Sequence, residues 1–527
     1  MTEAKKIAKD SAYVFGARAF SMVASLIMGI TLARLLGKDI YGLVTWAMFL
    51  ESLIFIFSDL GVQESSARRI SQRLAKGLDV SGTIASATVI KIVGGVLITA
   101  LVIIFSSSIA LNLNRNPEAI LSVYACAGLL LLDAVSTAIY STLYGFREMT
   151  ITSYAEVVSS ASKTTLAILL VLLGFGLKGA LIGLVAGSAV LLVFYVYSFK
   201  KTVLPELKHL RLELPEIRSI LAYGSFIGVS WCVFQLYTSF DEFYIGAKLS
   251  MGDFSCYCMA MSLALFLYYG VFALRRVLFA SFSGSVSTNS HGMVKDMYVI
   301  SMKYIAAIAV PAGIGLAILS SEIISAIYGY QYIAAASVLV PLAFMGILFT
   351  CEIPSSAILD GGGTARAGTF ISVITAITNV ILNLLLIPGN GIMGAAITSL
   401  ITLGGCSVIY HYFAIRYYDV RPPLKDVAVI VFASAIMAGC VEAIKSFMYA
   451  GDLSRVHSSL FCIEVLVVCI PAAVAIYGFL MLALGIVSGK ESVLIKNAVG
   501  SGPLSKPVSI VMLISSKFRR THNKTII

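Results

Sequence analysis

Ile92-Val-Gly-Gly-Val-Leu-Ile-Thr-Ala-Leu-Val-Ile-Ile-Phe-Ser-Ser-Ser-Ile-Ala-Leu-Asn-Leu-Asn114 contains no Asp, Glu, Lys or Arg. Its apolar residues follow one another without the alternation of a half-buried strand, which points to a buried helix. About 20 helical residues cross the ~30 Å hydrocarbon core of a bilayer, so this stretch is long enough to span one. Lipid offers no partner to a backbone N–H or C=O, so only a helix or a closed barrel can cross it. Barrel strands alternate in polarity over about ten residues. This stretch does not, and it reads as a transmembrane helix.

The pattern repeats along the chain. Gly179–Phe199, Ser219–Phe240, Phe254–Leu274, Ile323–Cys351 and Val465–Gly489 are equally free of charge. Hydrophobic residues make up 59% of the 527 and charged residues 12%, against about a quarter charged in soluble domains. Mean hydropathy is +0.94. The expected fold is an all-α polytopic membrane protein of about fourteen transmembrane helices. They are expected near 11–35, 41–60, 82–106, 118–143, 151–174, 178–199, 218–247, 253–280, 296–320, 334–358, 366–387, 391–415, 425–448 and 459–488. Ser11–Leu35 is too long for the apolar core of a signal peptide and reads as the first span.

Basic residues gather on alternate connections. One set holds Lys5, Lys6 and Lys9, then Arg68, Arg69, Arg73 and Lys76, then Lys200, Lys201, Lys208, Arg211 and Arg218, then Arg416, Arg421 and Lys425. The tail from Lys490 is basic as well. The opposite set holds little beyond Lys38, Arg115, Lys178, Lys248 and Arg455. By the positive-inside rule both termini are cytoplasmic, in a multi-pass protein of the cell (inner, cytoplasmic) membrane. Topology and contact with anionic lipid headgroups account for the net charge of +11 without nucleic acid.

Two junctions recur. Gly176-Leu-Lys-Gly179-Ala180 matches Gly391-Ile-Met-Gly394-Ala395, and Ala33-Arg34-Leu35 before Gly37-Lys38-Asp39 echoes Ala247-Lys248-Leu249 before Gly252-Asp253. Two six-helix lobes follow, at 1–205 and 206–420, related by a pseudo-two-fold axis along the membrane normal. Two further helices at 421–488 and a basic cytoplasmic tail at 489–527 complete the chain.

A family resemblance rests on an ordered series of motifs. These are Leu32-Ala-Arg-Leu-Leu-Gly-Lys-Asp-Ile-Tyr-Gly42, Phe57-Ser-Asp-Leu-Gly61 with Arg68-Arg69, Tyr223-Gly-Ser225, Asp241 and Tyr257-Cys-Met-Ala260. The series ends with Asn379-Val-Ile-Leu-Asn383-Leu-Leu-Leu-Ile-Pro388 and Gly391-Ile-Met-Gly394-Ala395-Ala396. In these the chain resembles the polysaccharide transporter and O-antigen (Wzx-like) flippase branch of the multidrug/oligosaccharidyl-lipid/polysaccharide exporter superfamily. The resemblance implies two six-helix bundles around a cavity. It also implies that a polyprenyl-diphosphate-linked oligosaccharide is carried from the cytoplasmic to the outer leaflet for cell-surface polysaccharide synthesis. Gly252-Asp253-Phe254 is tighter than the family pattern before Tyr257, and Arg275-Arg276 stands where that pattern is apolar.

Intramembrane charges give the candidate site, because a basic group at mid-helix costs roughly 2.5–3.5 kcal/mol and so tends to face a polar interior. Arg18, Lys91 and Lys163 are the candidates for neutralising a diphosphate, with Arg275 or Arg276 helping from the second lobe. Glu51 and Asp133 would balance their charge or take protons. Snorkelling of Arg18 and Lys91 to the interface, or pairing of Lys163 with Asp133 or Glu51, are the structural alternatives. Asp241 is a candidate for a coupling cation or a capping role. Asn379 and Asn383, four apart on one helix face, suit helix–helix hydrogen bonding or a polar cavity. By the repeat, Lys163 falls within one residue of Asn379.

No cofactor, metal site or enzyme chemistry is expected. Walker A spacing is missing, which argues against ATP as a direct partner. The five histidines are scattered, and the nine cysteines read as small apolar residues. Expected partners are the lipid-linked glycan, membrane lipids, and a glycan polymerase or glycosyltransferases. Membrane potential would drive two negative charges outward with roughly 4–5 kcal/mol per 100 mV; proton or sodium antiport is equally open. Two rival functions stay in view: a cation-coupled drug or metabolite exporter of the same superfamily, and a non-transporting membrane scaffold for glycan-assembly enzymes.

Overall fold

A computed structural model describes residues 3–113, 116–207, 211–288, 290–451 and 458–485. The expected tail at 489–527 lies outside the described residues. Among these residues the regular structure is entirely helical. In order the helices are α1 (Glu3–Leu36), α2 (Lys38–Asp59), α3 (Val62–Ala75), α4 (Ser81–Ile104), the single turn α5 (Ser106–Ser108), α6 (Ala119–Gly145), α7 (Met149–Leu170), α8 (Gly176–Thr202) and α9 (Leu214–Thr238). They continue as α10 (Phe240–Lys248), α11 (Met251–Ser287), α12 (His291–Ile318), α13 (Ser320–Ile327), α14 (Ala334–Gly361), α15 (Ala365–Tyr418), α16 (Leu424–Gly451) and α17 (Ser459–Ala483).

Eleven continuous helices among the described residues are long and apolar enough to cross a membrane. Two of these, Met149–Thr202 and Ala367–Tyr418, run to 54 and 52 residues, more than twice what one crossing takes. Each is folded back on itself at a glycine. Gly176 has φ 52° and ψ −132°, and Gly391 has φ 58° and ψ −141°. Side chains with a Cβ avoid that region of backbone space, so glycine sets both turns. The matching torsions give the sequence echo Gly176…Gly179 and Gly391…Gly394 the same local backbone.

The chain forms two compact units by packing, Met1–Cys258 and Met259–Ile527. This division lies beyond the expected lobe boundary at 205/206 because α9, α10 and the first turns of α11 pack on α2, α3 and α4. A lobe defined by symmetry is a separate statement.

In the first unit, α8 carries Gly179, Gly183 and Gly187 at four-residue spacing, a stripe of small residues that lets helices meet at backbone distance. A Cβ at Gly183 would stand 2.4 Å from the Ala167 Cα, and one at Gly187 2.6 Å from the backbone of Lys163. The pairings run antiparallel and fix the register of α7 on α8. In the first half of α2, Trp46 is fully buried, in edge contact with Phe254 at 5.3 Å. After its last turn Leu60 and Gly61 adopt left-handed backbone (φ 44° and 73°) and turn the chain into α3. That helix falls between two expected spans, where charge alone reads as loop. Val62, Ala67 and Ile70 form its buried face.

The second unit packs α12, α14 and α15 around buried Tyr298, whose hydroxyl lies 2.8 Å from Ser355 Oγ and 2.7 Å from His411 Nδ1. The two last helices dock through an apolar cluster including Leu319, Met437, Val441 and Val465. Lys445 donates to the Ile318 carbonyl at 3.0 Å, and Tyr449 to the buried Glu322 at 2.9 Å.

Candidate functional site

Helices α2, α6 and α7 bring Glu51, Asp133 and Lys163 into mutual electrostatic contact inside the first unit. Glu51 and Asp133 sit in mainly apolar runs of sequence, Lys163 in the hydroxyl-rich run 159–165, and the glycine stripe holds the α7 backbone in register. Ser162 Oγ, beside Lys163, donates to the Gly187 carbonyl at 3.1 Å. Two carboxyl groups facing one ammonium leave one carboxyl over. It either shares a proton with its neighbour or waits for a second cation. The surplus carboxyl is chemically suited to hold a proton or a cation.

The other expected basic residues lie apart from this cluster. Lys91, 1% exposed, pairs with Asp59 and donates to Thr137 Oγ1 at 3.1 Å. It is enclosed between α4, α2 and α6 rather than snorkelling outward. Arg18 is the opposite case: its side chain is 75% exposed and stands 3.7 Å from Glu156 on α7. Ser21 and Ser160, hydrogen-bonded at 2.7 Å, extend that polar seam one turn further.

In the second unit Arg275 holds Asp360 at 3.0 Å, both partly exposed, with Glu352 in electrostatic contact with the same arginine. The side chain of Arg276 lies outside the described residues. Asp241, buried at the start of α10, accepts the Tyr257 hydroxyl and the Glu242 backbone N–H, the latter at 3.0 Å. Asn383, fully buried, donates to Asn379 Oδ1 at 2.9 Å, and Asn379 reaches Thr402 Oγ1 at 3.4 Å. The pair thus bridges the two limbs of α15.

Sequence reasoning singled out neither Glu352 nor Glu216. Glu216 lies in the first turn of α9 and is buried, yet it accepts four hydrogen bonds from three side chains. These are Arg69 Nε at 3.1 Å, Arg69 Nη2 at 2.8 Å, Arg73 Nη1 at 2.7 Å and Thr83 Oγ1 at 3.0 Å. In sequence Arg73 reads as a topology charge, and Arg69 as a topology charge and part of the Arg68-Arg69 family motif. The overlooked signal was their four-residue spacing, which sets both on one face of a helix.

Residues 31–337 match the family described as polysaccharide biosynthesis protein. The chain belongs to this family. It is similar to the probable low-salt glycan biosynthesis flippase Agl15 of Haloferax volcanii, with 24% identity over 460 residues, 86% of this chain and 93% of the relative. It is also similar to the probable flippase AglR of the same organism, 21% identical over 484 residues, 91% of this chain and 96% of that one. Among solved structures, the lipid II flippase MurJ in its inward closed conformation superimposes with a TM-score of 0.65 at 18% identity, covering 89% of this chain and 98% of MurJ. An inward-facing multidrug resistance MATE transporter of the MOP superfamily gives 0.64 at 15% identity, covering 76% and 94%. At these identities the superpositions speak for the fold. The protein is an all-helical, multi-pass membrane protein with the fold of the MOP exporters.

Proposed function

We propose that this family member is a flippase. It carries a polyprenyl-diphosphate-linked oligosaccharide from the cytoplasmic to the outer leaflet by alternating access, and performs no enzymatic step. The observation that carries this reading is the similarity to a glycan-biosynthesis flippase across nearly that protein's whole length. Lys163 is the residue we assign to the diphosphate, with Arg18 helping from its separate contact with Glu156, and Glu51 and Asp133 balance Lys163 when the site is empty. Lys91, Arg275 and Arg276 are secondary candidates. We further propose fourteen crossings, the lobes 1–205 and 206–420, and both termini in the cytoplasm, a reading supported by the basic bias of alternate connections. Glycosyltransferases or a polymerase would meet the protein from those connections.

Leaflet-resolved accumulation of lipid-linked glycan in depleted cells tests the reading. Build-up on the cytoplasmic face, rescued by wild type but not by Lys163→Gln at equal protein level, is the expected result. Normal export after depletion, in cells lacking a redundant homologue, refutes it. The paired carboxyls Glu51 and Asp133 favour one other reading, a cation-coupled exporter. In that case export of a small cationic compound, rather than of glycan, fails in the depleted cells.

A further inference from the structure

The network around Glu216 ties α9 to α3 and α4 at one end of the first unit. Its four hydrogen bonds come from two guanidinium groups and one hydroxyl. Beside it Ser65 Oγ donates to the Ile220 carbonyl at 2.9 Å, and α9 backs onto the Leu60–Gly61 turn so closely that a Cβ at Gly228 would lie 2.4 Å from the Leu60 backbone. Two features set this contact apart from an ordinary helix staple. Two guanidinium groups share a single carboxylate, and Arg73 Nε donates besides to the Asp79 carbonyl at 2.7 Å. The carboxylate is buried while the arginines are not: the Glu216 side chain is 5% exposed, those of Arg69 and Arg73 39% and 22%. Solvent-borne or headgroup anions reach the arginines without first displacing α9.

Guanidinium forks bind carboxylate and phosphate in the same planar geometry. A diphosphate brings more charge and more acceptor oxygens than one carboxylate, and so matches two arginines better. From this arrangement we infer that Arg69 and Arg73 form a docking site for a diphosphate group, with Glu216 as the built-in anion that the ligand replaces. The inference rests on the flippase reading for its lipid-linked ligand. Exchange at the arginines removes the ionic contacts that hold α9 on α3, leaving the Ser65–Ile220 hydrogen bond, the Arg68–Tyr223 ring contact and the close packing at Gly61 and Gly228 as the remaining restraint. Binding and release of α9 are then linked, and linkage is reciprocal. By as much as the diphosphate weakens the α3–α9 contact, the intact contact weakens diphosphate binding, so removing the carboxylate raises diphosphate affinity.

The test uses full-length protein in nanodiscs and three probes: a long-chain polyprenyl diphosphate, the matching polyprenyl alcohol, and inorganic diphosphate. Affinity is measured for wild type, Glu216→Gln, Glu216→Asp and Arg69→Gln. In a second arm, spin labels on genetically encoded ketone residues at the exposed positions Gln72 and Ala222 report the α3–α9 distance in otherwise native protein. The expected result is that Glu216→Gln binds polyprenyl diphosphate about 5-fold or more tightly, within the usual range of coupling between sites. Glu216→Asp should stay near wild type and Arg69→Gln should bind more weakly. In wild type the diphosphate lipid lengthens the label distance and the alcohol does not. Lengthening by inorganic diphosphate to the same extent assigns the site to free phosphate as well as to lipid. Binding of the diphosphate lipid with unchanged affinity in Glu216→Gln and an unchanged distance overturns the exchange and leaves the flippase reading standing. Wild type that binds no diphosphate in either form overturns both.

Discussion

The hairpin of α7 and α8 and the hairpin within α15 share one turn and differ in what they bury. In the first, Gly183 and Gly187 bring α8 onto the α7 backbone, and Lys163 stands there against Glu51 and Asp133. In the second, at the same offset from the turn, Thr398 and Thr402 replace those glycines, and Thr402 accepts from Asn379. One limb pair is joined around an ion cluster, the other around neutral amides and hydroxyls. The second hairpin demonstrates that this architecture closes without an ammonium group. An ionic cluster in the first is therefore not demanded by the fold, and desolvating it opposes stability. That contrast is the ground for placing the proposed site in the first hairpin.

The largest expected effect comes from converting the first hairpin to the chemistry of the second. Lys163→Asn leaves Glu51 and Asp133 facing each other without a cation. Breaking a buried charge cluster on one side should cost about 3 kcal/mol, read as a fall in the unfolding midpoint of detergent-solubilised protein, and glycan export should stop. Adding Glu51→Gln and Asp133→Asn should return most of the stability while export stays absent. Recovery of export in the triple variant would break the comparison, because the charges would then be dispensable to both fold and function.

A second pair of variants sharpens the part the two hairpins share. Gly176→Ala and Gly391→Ala each force a Cβ into backbone torsions that differ between the two sites by only a few degrees. Each should cost about 1–3 kcal/mol, and the two costs should agree. In each substitution the surroundings offer open space, so the strain is torsional. A clear difference in unfolding midpoint between them would show that the turns are alike in angle only.

Much of the scaffold was legible in sequence, and particular residues show why. Charge-free runs such as 92–114 are set by the bilayer itself, so they mark helices whatever the neighbours are. The turns at Gly176 and Gly391 need glycine by backbone geometry, so they leave a mark at a fixed place. Lys163 stands out because a cation is rare in an apolar helix. Partner choice left no such mark. Asp59 is at the end of α2 and Glu216 at the start of α9, where a carboxylate reads as solvated, yet one pairs with Lys91 and the other with Arg69 and Arg73. Those pairings span 32 to 147 positions, and a single sequence does not report them. Helix α3 escaped for a related reason: its charges dominate a short segment whose apolar face, Val62, Ala67 and Ile70, is only three residues wide.

The smallest expected effect lies in the second hairpin. Asn379→Ala removes two hydrogen bonds, one from Asn383 Nδ2 and one to Thr402 Oγ1. Inter-helical polar contacts in membranes average about 0.6 kcal/mol and reach about 1.7. The bond to Thr402 is long at 3.4 Å and belongs at the weak end, but Asn383 is fully buried and its Oδ1 has no partner among the described residues. Losing Asn379 leaves the Asn383 amide without its acceptor too, which lifts the cost toward the upper figure. Asn379→Asp, by contrast, supplies the acceptor in charged form and brings into the second hairpin the kind of buried charge the first one carries. If that hairpin is a neutral staple, Asn379→Ala lowers the unfolding midpoint slightly and leaves export intact. Loss of export at unchanged stability would mean that both hairpins face the substrate and that the chemical division between them is one of charge, not of role.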